Sequence, residues 1–384
     1  MNYDWNQRYN YNFPTSIRFG KGVVDELGTH LNEQGLKRVL LVADSALTKL
    51  PVFEKVQGIL KQSGLNVFVS SEIAKNPVKS NVLKGVEIFK ENGCDSIVGF
   101  GGGASMDVAR AIALKVHHHL DLFDYDDAIG GDRHVTGEVP YFVTVPTTCG
   151  TGSEVGRSTV IADDVTHEKK ILFSPKLMAK KVFADPELTL ALPSFITAAT
   201  GMDALTHNIE AYLAKGFFPL CDGVALEGIR LISQSLERAT NNPDLEARSK
   251  MMMGSLMGAT AFQKGLGVVH SLAHPLSTLV DMHHGLANAI MLPYGMEFNK
   301  SVSAPRMSII SQVVGLTDTG ADAFIHWIFE LNKKIGIPSK LSTQNVTLHH
   351  VEKLSELAIK DPCWISNEKP VTKNDFAGLY TKAI

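Results

Sequence analysis

Cysteine is scarce in this chain and shows no pairing. Four cysteines, at 94, 149, 221 and 363, lie far apart and form no CxxC spacing. That excludes a CxxC redox or zinc motif, and free thiols in a reducing cytosol are the simplest reading. Charge of one sign is also lacking: 37 Lys and Arg against 40 Asp and Glu leave a net charge of -3. Without a global basic field, nucleic acid or an anionic membrane surface is unsupported as a partner. No apolar run approaches the length needed to cross a bilayer. The opening MNYDWNQRYNYNF has no basic stretch followed by an apolar one, so it does not read as a signal peptide. No internal repeat and no low-complexity tract is present. A soluble protein of the cytoplasm is the expectation these absences leave. Its 44% apolar and 20% charged residues fit a soluble globular protein, and 384 residues exceed one ordinary core.

The first half alternates short β-rich runs with helical patterns. RVLLVAD (38–44), LNVFVSSEI (65–73), SIVGFGGG (96–103) and YFVTVPTT (141–148) read as strands separated by helices, the doubly wound pattern with parallel pairing. The texture changes at DPELTLALPS (185–194), a proline-bearing connector, and beyond it the chain reads as helices. The expectation is therefore an α/β N-terminal dinucleotide-binding domain over 1–190 and an all-α C-terminal metal-binding, catalytic domain over 191–384. The active site is expected in the cleft between them.

Two loops carry phosphate-binding signals. Gly101-Gly102-Gly103-Ala104-Ser105 lies between an apolar strand and a helix start. There backbone N–H groups can approach a pyrophosphate and the helix dipole favours its charge. A tight turn into a well-packed helix is the plainer alternative. Pro146-Thr-Thr-Cys-Gly-Thr-Gly-Ser-Glu154 is a second small, hydroxyl-rich loop after a strand. Asp44 ends the first strand, where a carboxylate can accept from both ribose hydroxyls and disfavour a 2′-phosphate, which points to NAD. A helix N-cap explains Asp44 equally well. The acid precedes the glycine loop by more than fifty residues, so an ordinary Rossmann order is a poor fit.

The strongest constellation is in the second half. Asp203 and His207 stand at i, i+4 in GMDALTHNIEAY, on one face of a helix. His270 and His274 repeat the spacing in GVVHSLAHPLS, and His283 and His284 follow in MHHGLANA. Spacing alone nominates His274 beside His270 and leaves His283 and His284 tied. Imidazole and carboxylate suit Fe(II) or Zn(II), and polar groups on apolar helices are costly unless partnered. His117-His118-His119 and His349-His350 have no carboxylate spaced with them and are expected to face solvent.

The motifs GGGAS-x-D, PTTCGTGSE, DPELT, GMDALTHNIE, GLGVVHSLAHPL and HHGLANAIMLP, after Phe19-Gly-Lys-Gly22, closely resemble the iron-containing (group III) alcohol dehydrogenase family. That family shares its fold with glycerol dehydrogenase and dehydroquinate synthase. The resemblance implies metal ligands at Asp203, His207, His270 and His284, the last chosen because the family's fourth ligand directly precedes a glycine, here Gly285. It implies that His274 lies near the nicotinamide without ligating. It places Asp44, Asn76, Gly102, Gly103, Ser105, Thr147, Thr148, Val160 and Lys169 around NAD, with Fe(II) or sometimes Zn(II) as the metal. Ser277 departs from the family's HPLG, and Gln263-Lys264 departs before Gly265. AFQKGLG with CDGVALEGI (221–229) and the HHG ending looks like the subgroup that includes 4-hydroxybutyrate dehydrogenases.

The expected activity is hydride transfer between NAD(H) and an alcohol, aldehyde or ketone, with the cation lowering the alcohol pKa and His274 relaying a proton or positioning the ribose. A metal- and NAD-dependent non-redox lyase or cyclase of the dehydroquinate synthase type is the alternative. Lys264, six residues before His270, is either a cation near the pocket that favours a carboxylated substrate or a solvated surface lysine. Exposed sheet edges suit a homodimer or higher homo-oligomer.

Overall fold

The computed structural model describes residues 13–73 and 76–384. All of the opening segment except Phe13 lies outside the described residues, and with it nearly all of the stretch whose composition argued against a signal peptide. Two compact units are present: 13–148 with 152–191, and 149–151 with 192–384. Cys149–Thr151 thus leaves the first unit and packs with the second, an excursion that a single linear cut does not carry.

In the α/β unit the strands are β1 (Ser16–Phe19), β2 (Arg38–Val42), β3 (Asn66–Ser70), β4 (Ser96–Gly101), β5 (Tyr141–Pro146), β6 (Ser158–Ala162), β7 (Lys169–Phe173) and β8 (Lys181–Ala184). The helices are α1 (Leu27–Glu33), α2 (Pro51–Gln62), α3 (Lys79–Glu91) and α4 (Gly103–His117). Six strands form one sheet in the order β1-β8-β5-β4-β2-β3, every pairing parallel. Side chains alternate across it. Leu40, Val42 and Ile97 pack with Val108 and Ile112 on one face, and Val39, Leu41, Val98 and Phe100 pack with Phe53 and Val56 on the other. A sheet covered on both faces needs apolar residues at successive positions, which is why these runs read as continuous rather than alternating.

The four strands read from sequence are β2 to β5. The edge pair β1 and β8 and the antiparallel hairpin β6–β7 were not anticipated. β1 is four residues long and mostly exposed, so it carries no hydrophobic pattern to read. Two motifs explain its placement. Asp185 of DPELT is fully buried, and its Oδ2 accepts from the Gly22 N–H at 2.9 Å, tying the FG-x-G turn beside β8.

The second unit consists of α5 (Ser194–Leu213), α6 (Pro219–Ser233), α7 (Leu236–Asn241), α8 (Leu245–Ala261), α9 (Val268–Val280), α10 (His284–Val313), α11 (Ala321–Lys334), α12 (Leu348–Ala358) and α13 (Lys373–Ala383). Helix α5 is buried over nearly its whole length. Small residues permit that close packing: a Cβ at Gly258 on α8 would lie 2.6 Å from Asn208 Nδ2 on α5. Asn208 instead donates to Ala204 O at 2.8 Å and Gly254 O at 2.9 Å, fixing α8 against α5. Among the described residues no helix is long and apolar enough to cross a membrane.

Two histidines expected in solvent serve the fold instead. His118 is buried, with Nε2 accepting from the Gly137 N–H at 3.1 Å and Nδ1 2.7 Å from Leu114 O. His350 Nδ1 accepts from the Thr347 N–H at 3.0 Å and closes the first turn of α12. A histidine can satisfy backbone groups as well as a metal, and sequence spacing does not separate the two tasks. His117, His119 and His349 are exposed.

Candidate functional site

Helix α5 presents Asp203, His207 and Glu210 on one buried face, the start of α9 presents His270, and the start of α10 presents His284. The side-chain donor atoms of Asp203, His270 and His284 all lie within 4.8 Å of one another. His284 Nε2 is 3.4 Å, His270 Nε2 3.9 Å and His207 Nε2 4.0 Å from the same oxygen, Asp203 Oδ1. His207 also stacks on His270 with ring centroids 4.6 Å apart. Ligand atoms around a tetrahedral ion with bonds near 2.1 Å stand about 3.4 Å apart, so this set needs only small side-chain shifts to close on one cation. Gly285 has to be glycine here, because a Cβ would run into the Ala199 carbonyl of α5 and lie 3.3 Å from Asp203 Cβ.

The electrostatics favour a cation. Asp203 and Glu210 are both buried, and among the described residues neither is paired with a lysine or arginine. Burial pushes the Asp203 carboxyl up, but His207, His284, His270 and the Asn288 amide outweigh it and hold its pKa near about 2. Burial takes His207 down to about 4 and His284 well below its ordinary value, against the pull of Asp203. These are ionised carboxylate and neutral imidazole, the protonation states that bind metal. At His270 burial opposes charge, but the Glu210 hydrogen bond and charge prevail and raise its pKa. His207 Nδ1 makes no hydrogen bond of ordinary geometry, although the Gly150 carbonyl lies near enough to favour its protonated form.

A supporting layer orients these donors. Glu210 Oε2 accepts from His270 Nδ1 at 2.6 Å, and its two oxygens also accept from the Val269 and His270 N–H groups. Nδ1 therefore carries the proton and the Nε2 lone pair turns toward Asp203. Asn288 Nδ2 donates to Asp203 Oδ1 at 2.7 Å and lies 3.1 Å from His284 Nε2 and 3.3 Å from His270 Nε2. Its amide thus puts positive density among the same acceptors. His274 stacks on His284 at 5.2 Å and is about one-third exposed, and its Nδ1 is 2.6 Å from Asp361 Oδ2. His283 packs edge-on to Phe195.

Sequence reasoning missed Glu210, Asn288 and Asp361. Extending the helical spacing would have found the first two: Glu210 continues Asp203 and His207 at i+7, and Asn288 is i+4 from His284. Asp361 lies far along the chain from His274 and carries no such signal.

In the α/β unit, the residues assigned to the cofactor gather at the carboxyl ends of the parallel strands. Asp44 follows β2, Asn76 follows β3, Gly102, Gly103 and Ser105 follow β4, and Thr147 and Thr148 follow β5. Gly101 has φ +142, and a Cβ there would lie 2.6 Å from Ser105 Oγ, so the turn into α4 requires glycine. Asp44 Oδ1 accepts from the Ala46 and Leu47 N–H groups at 3.0 and 2.9 Å, so it closes the turn ahead of the short helix Leu47–Lys49, whose N-cap is Ala46 rather than Asp44. Its backbone N–H donates to Ser105 Oγ at 3.0 Å, joining the two strand ends. The hairpin brings in the last two residues. The Ala162 N–H donates to Pro77 O at 2.8 Å beside Asn76, and Lys169 pairs across from Ala162. The Val160 N–H donates to Asp107 Oδ2 on α4 at 3.1 Å.

Lys264 is neither a solvated lysine nor a charge open to substrate. Its Nζ is buried, 2.5 Å from Asp222 Oδ1 and 3.0 Å from Tyr212 O, and Asp222 Oδ1 also takes Arg306 at 2.9 Å. Burial lowers the Lys264 pKa while Asp222 resists that change. Ser277 is buried, and its hydroxyl has no hydrogen-bond partner among the described residues.

Residues 14–186 match the family described as iron-containing alcohol dehydrogenase, and residues 197–384 match the C-terminal region of the Fe-containing alcohol dehydrogenase family. A 4-hydroxybutyrate dehydrogenase from Cupriavidus necator is 38% identical over 96% of this chain and 98% of its own length. An NAD-dependent methanol dehydrogenase from Bacillus methanolicus is 34% identical over 98% of this chain and 100% of its own. The crystal structure of a 1,3-propanediol oxidoreductase has a TM-score of 0.94 at 33% identity and covers 98% of this chain and 100% of that one.

Proposed function

This chain belongs to the iron-containing alcohol dehydrogenase family, and from that premise we propose that Asp203, His207, His270 and His284 hold its metal. The observation that carries the proposal is the convergence of three imidazole nitrogens on one Asp203 oxygen, with Glu210 fixing the tautomer of His270. The chain is an NAD-dependent oxidoreductase that interconverts alcohols and carbonyl compounds, in line with its dehydrogenase relatives rather than with a lyase.

When bound, the metal polarises the substrate oxygen and the nicotinamide exchanges hydride with the carbinol carbon. The protein aligns and protonates. Asp361 accepts from His274 Nδ1, so Nε2 remains an acceptor that takes the hydroxyl proton on oxidation and returns it on reduction. Glycines 102 and 103 and the α4 N-terminus receive the pyrophosphate, Asp44 the adenosine ribose, and Thr147, Thr148, Asn76, Val160 and Lys169 the rest of the cofactor. The 4-hydroxybutyrate dehydrogenase relative supports a substrate carrying a carboxylate, such as 4-hydroxybutyrate or succinate semialdehyde. Iron is the native metal in this reading, and the enzyme is cytoplasmic and works as a homodimer or higher homo-oligomer.

The test is an activity screen of the iron-loaded enzyme with NAD over neutral and carboxylated alcohols, with the chelated protein beside it. NADH forms with iron and not without it. NADH formation that survives complete metal removal overturns the ligand assignment, and turnover without net NADH revives the lyase.

A further inference from the structure

We infer that His274, Asp361 and Cys363 form a second metal site, one that takes a thiophilic dication such as zinc or cadmium and silences His274 when filled. Their donor atoms lie within 4.8 Å of one another, and none belongs to the Asp203 cluster. The set is imidazole, carboxylate and thiol, which suits zinc or cadmium and not magnesium or calcium.

The local hydrogen bonding is already arranged for a cation. One carboxylate, Asp361, receives His274 Nδ1 at 2.6 Å and the Cys363 thiol. A dication takes the place of those protons. The thiol proton leaves to solvent and the Nδ1 proton moves to Nε2, so the imidazole stays neutral and charge balances. The other Asp361 oxygen is fixed by Ser271 Oγ at 2.6 Å and the Cys363 N–H at 2.9 Å, which leaves Oδ2 to ligate. The Trp364 N–H donates to Ser271 Oγ at 2.9 Å and holds the 361–364 turn on α9.

The field points the same way. Burial pushes the Cys363 thiol well up, and the nearby Asp361 and Glu210 carboxylates push it further. A negative potential that keeps a thiol protonated attracts a dication, and coordination then removes the proton. His274 and Asp361 side chains are 34% and 13% exposed, so the site has an entry. His274 and Asp361 must open from 2.6 Å to about 3.3 Å, the spacing of ligands around zinc, which a partly exposed imidazole can do by rotation. Once metal holds Nδ1 and the proton sits on Nε2, His274 no longer accepts a proton from substrate. That inhibitory consequence rests on the dehydrogenase reading, whereas the binding does not.

The test titrates the iron-loaded enzyme with cadmium under anaerobic conditions, with metal content, ultraviolet absorbance and activity read together. One cadmium binds per chain with iron retained, a thiolate-to-cadmium charge-transfer band grows, and activity falls in step. In Cys363→Ser and Cys363→Ala the band is lost and cadmium affinity falls at least about tenfold. Iron released as cadmium enters, an undiminished band in Cys363→Ala, or no cadmium taken up while iron stays would each overturn the site. The wild-type titration decides this without the variants should they fail to fold. Cadmium bound with the band present but activity untouched would leave the site standing and remove the inhibition.

Discussion

Charge is buried in two opposite ways in this molecule. In the α/β unit Arg110 is fully buried, yet its guanidinium donates to Ser153 Oγ at 2.9 Å, Ser158 O at 2.8 Å and Leu177 O at 3.2 Å, with Asp107 as its counter-ion. Asp107 in turn accepts from Ser153 Oγ at 2.8 Å and from the Val160 N–H, so the network closes on itself and pins the β6–β7 hairpin to α4. In the helical unit two buried carboxylates and three convergent imidazoles have no lysine or arginine paired with them among the described residues. A closed network is structure, and an open one of this composition is a receptor for positive charge. The largest test of that contrast removes the carboxylate common to all three imidazoles. Asp203→Ala should leave the enzyme unable to retain iron and lower kcat by about 10³-fold, the several kcal/mol that a Lewis acid supplies. Metal content and turnover measured together check it, and iron retained at one per chain would break the comparison.

The closed network has one exception, and it gives the next largest effect. Glu154 is buried and its Oε1 has no hydrogen-bond partner among the described residues. Burial raises its pKa to about 7, against the opposing pull of its own backbone N–H and of Arg110. A carboxyl whose folded pKa lies above its unfolded value holds an extra proton when folded. Its contribution is favourable at low pH and is lost as pH rises from 4.5 through about 7. The full difference is about 3 kcal/mol. Glu154→Gln should therefore be more stable than wild type near pH about 8 and equal to it near about 4.5 in denaturant unfolding. A variant less stable at the higher pH would mean that Glu154 is partnered and ionised.

How much of this the sequence revealed follows from what each feature needs. Helical spacing showed the face of α5 that carries Asp203 and His207, because i, i+4 geometry is local. It nominated His274 and left His283 and His284 tied, because the choice depends on how the start of α10 meets α5 at Gly285. Strands β2 to β5 were legible from apolar runs, while β1, with its exposed pattern, and the hairpin β6–β7, whose apolar runs are only three residues long, were not. His118 was misread because its partners, Leu114 O and the Gly137 N–H, are backbone groups invisible to side-chain pattern.

Two smaller changes probe the layer behind the open cluster. Glu210→Gln keeps the shape but weakens the hold on His270 Nδ1, and iron affinity should fall by about 10- to 100-fold, read by competition with a chelator. Affinity equal to wild type would make Glu210 a packing residue only. Asp361→Asn should leave iron content unchanged and lower kcat by about tenfold at unchanged KM, since it disturbs the tautomer of His274 and none of the iron ligands. Iron lost in step with activity would assign Asp361 to the metal instead.

The smallest predicted effect is at Lys264, the one cation near the cluster that sequence reading offered to a substrate carboxylate. If its ammonium bound that carboxylate, Lys264→Met would remove a charged hydrogen bond of about 1.5–3 kcal/mol and cut the preference for 4-hydroxybutyrate over 1-butanol at least about tenfold. In the fold, Nζ is buried on Asp222 and the Tyr212 carbonyl, and Arg306 already shares the same Asp222 oxygen. The variant leaves Asp222 paired with Arg306, so it should lose some stability while the ratio of kcat/KM values for the two alcohols changes by less than about twofold. Matched kinetics on the two substrates decide the point, because the two accounts differ by at least about fivefold, or ~1 kcal/mol. A tenfold fall in preference would show that the buried pair opens to substrate. The Asp222, Lys264 and Arg306 network would then have to move from the closed side of the comparison to the open one.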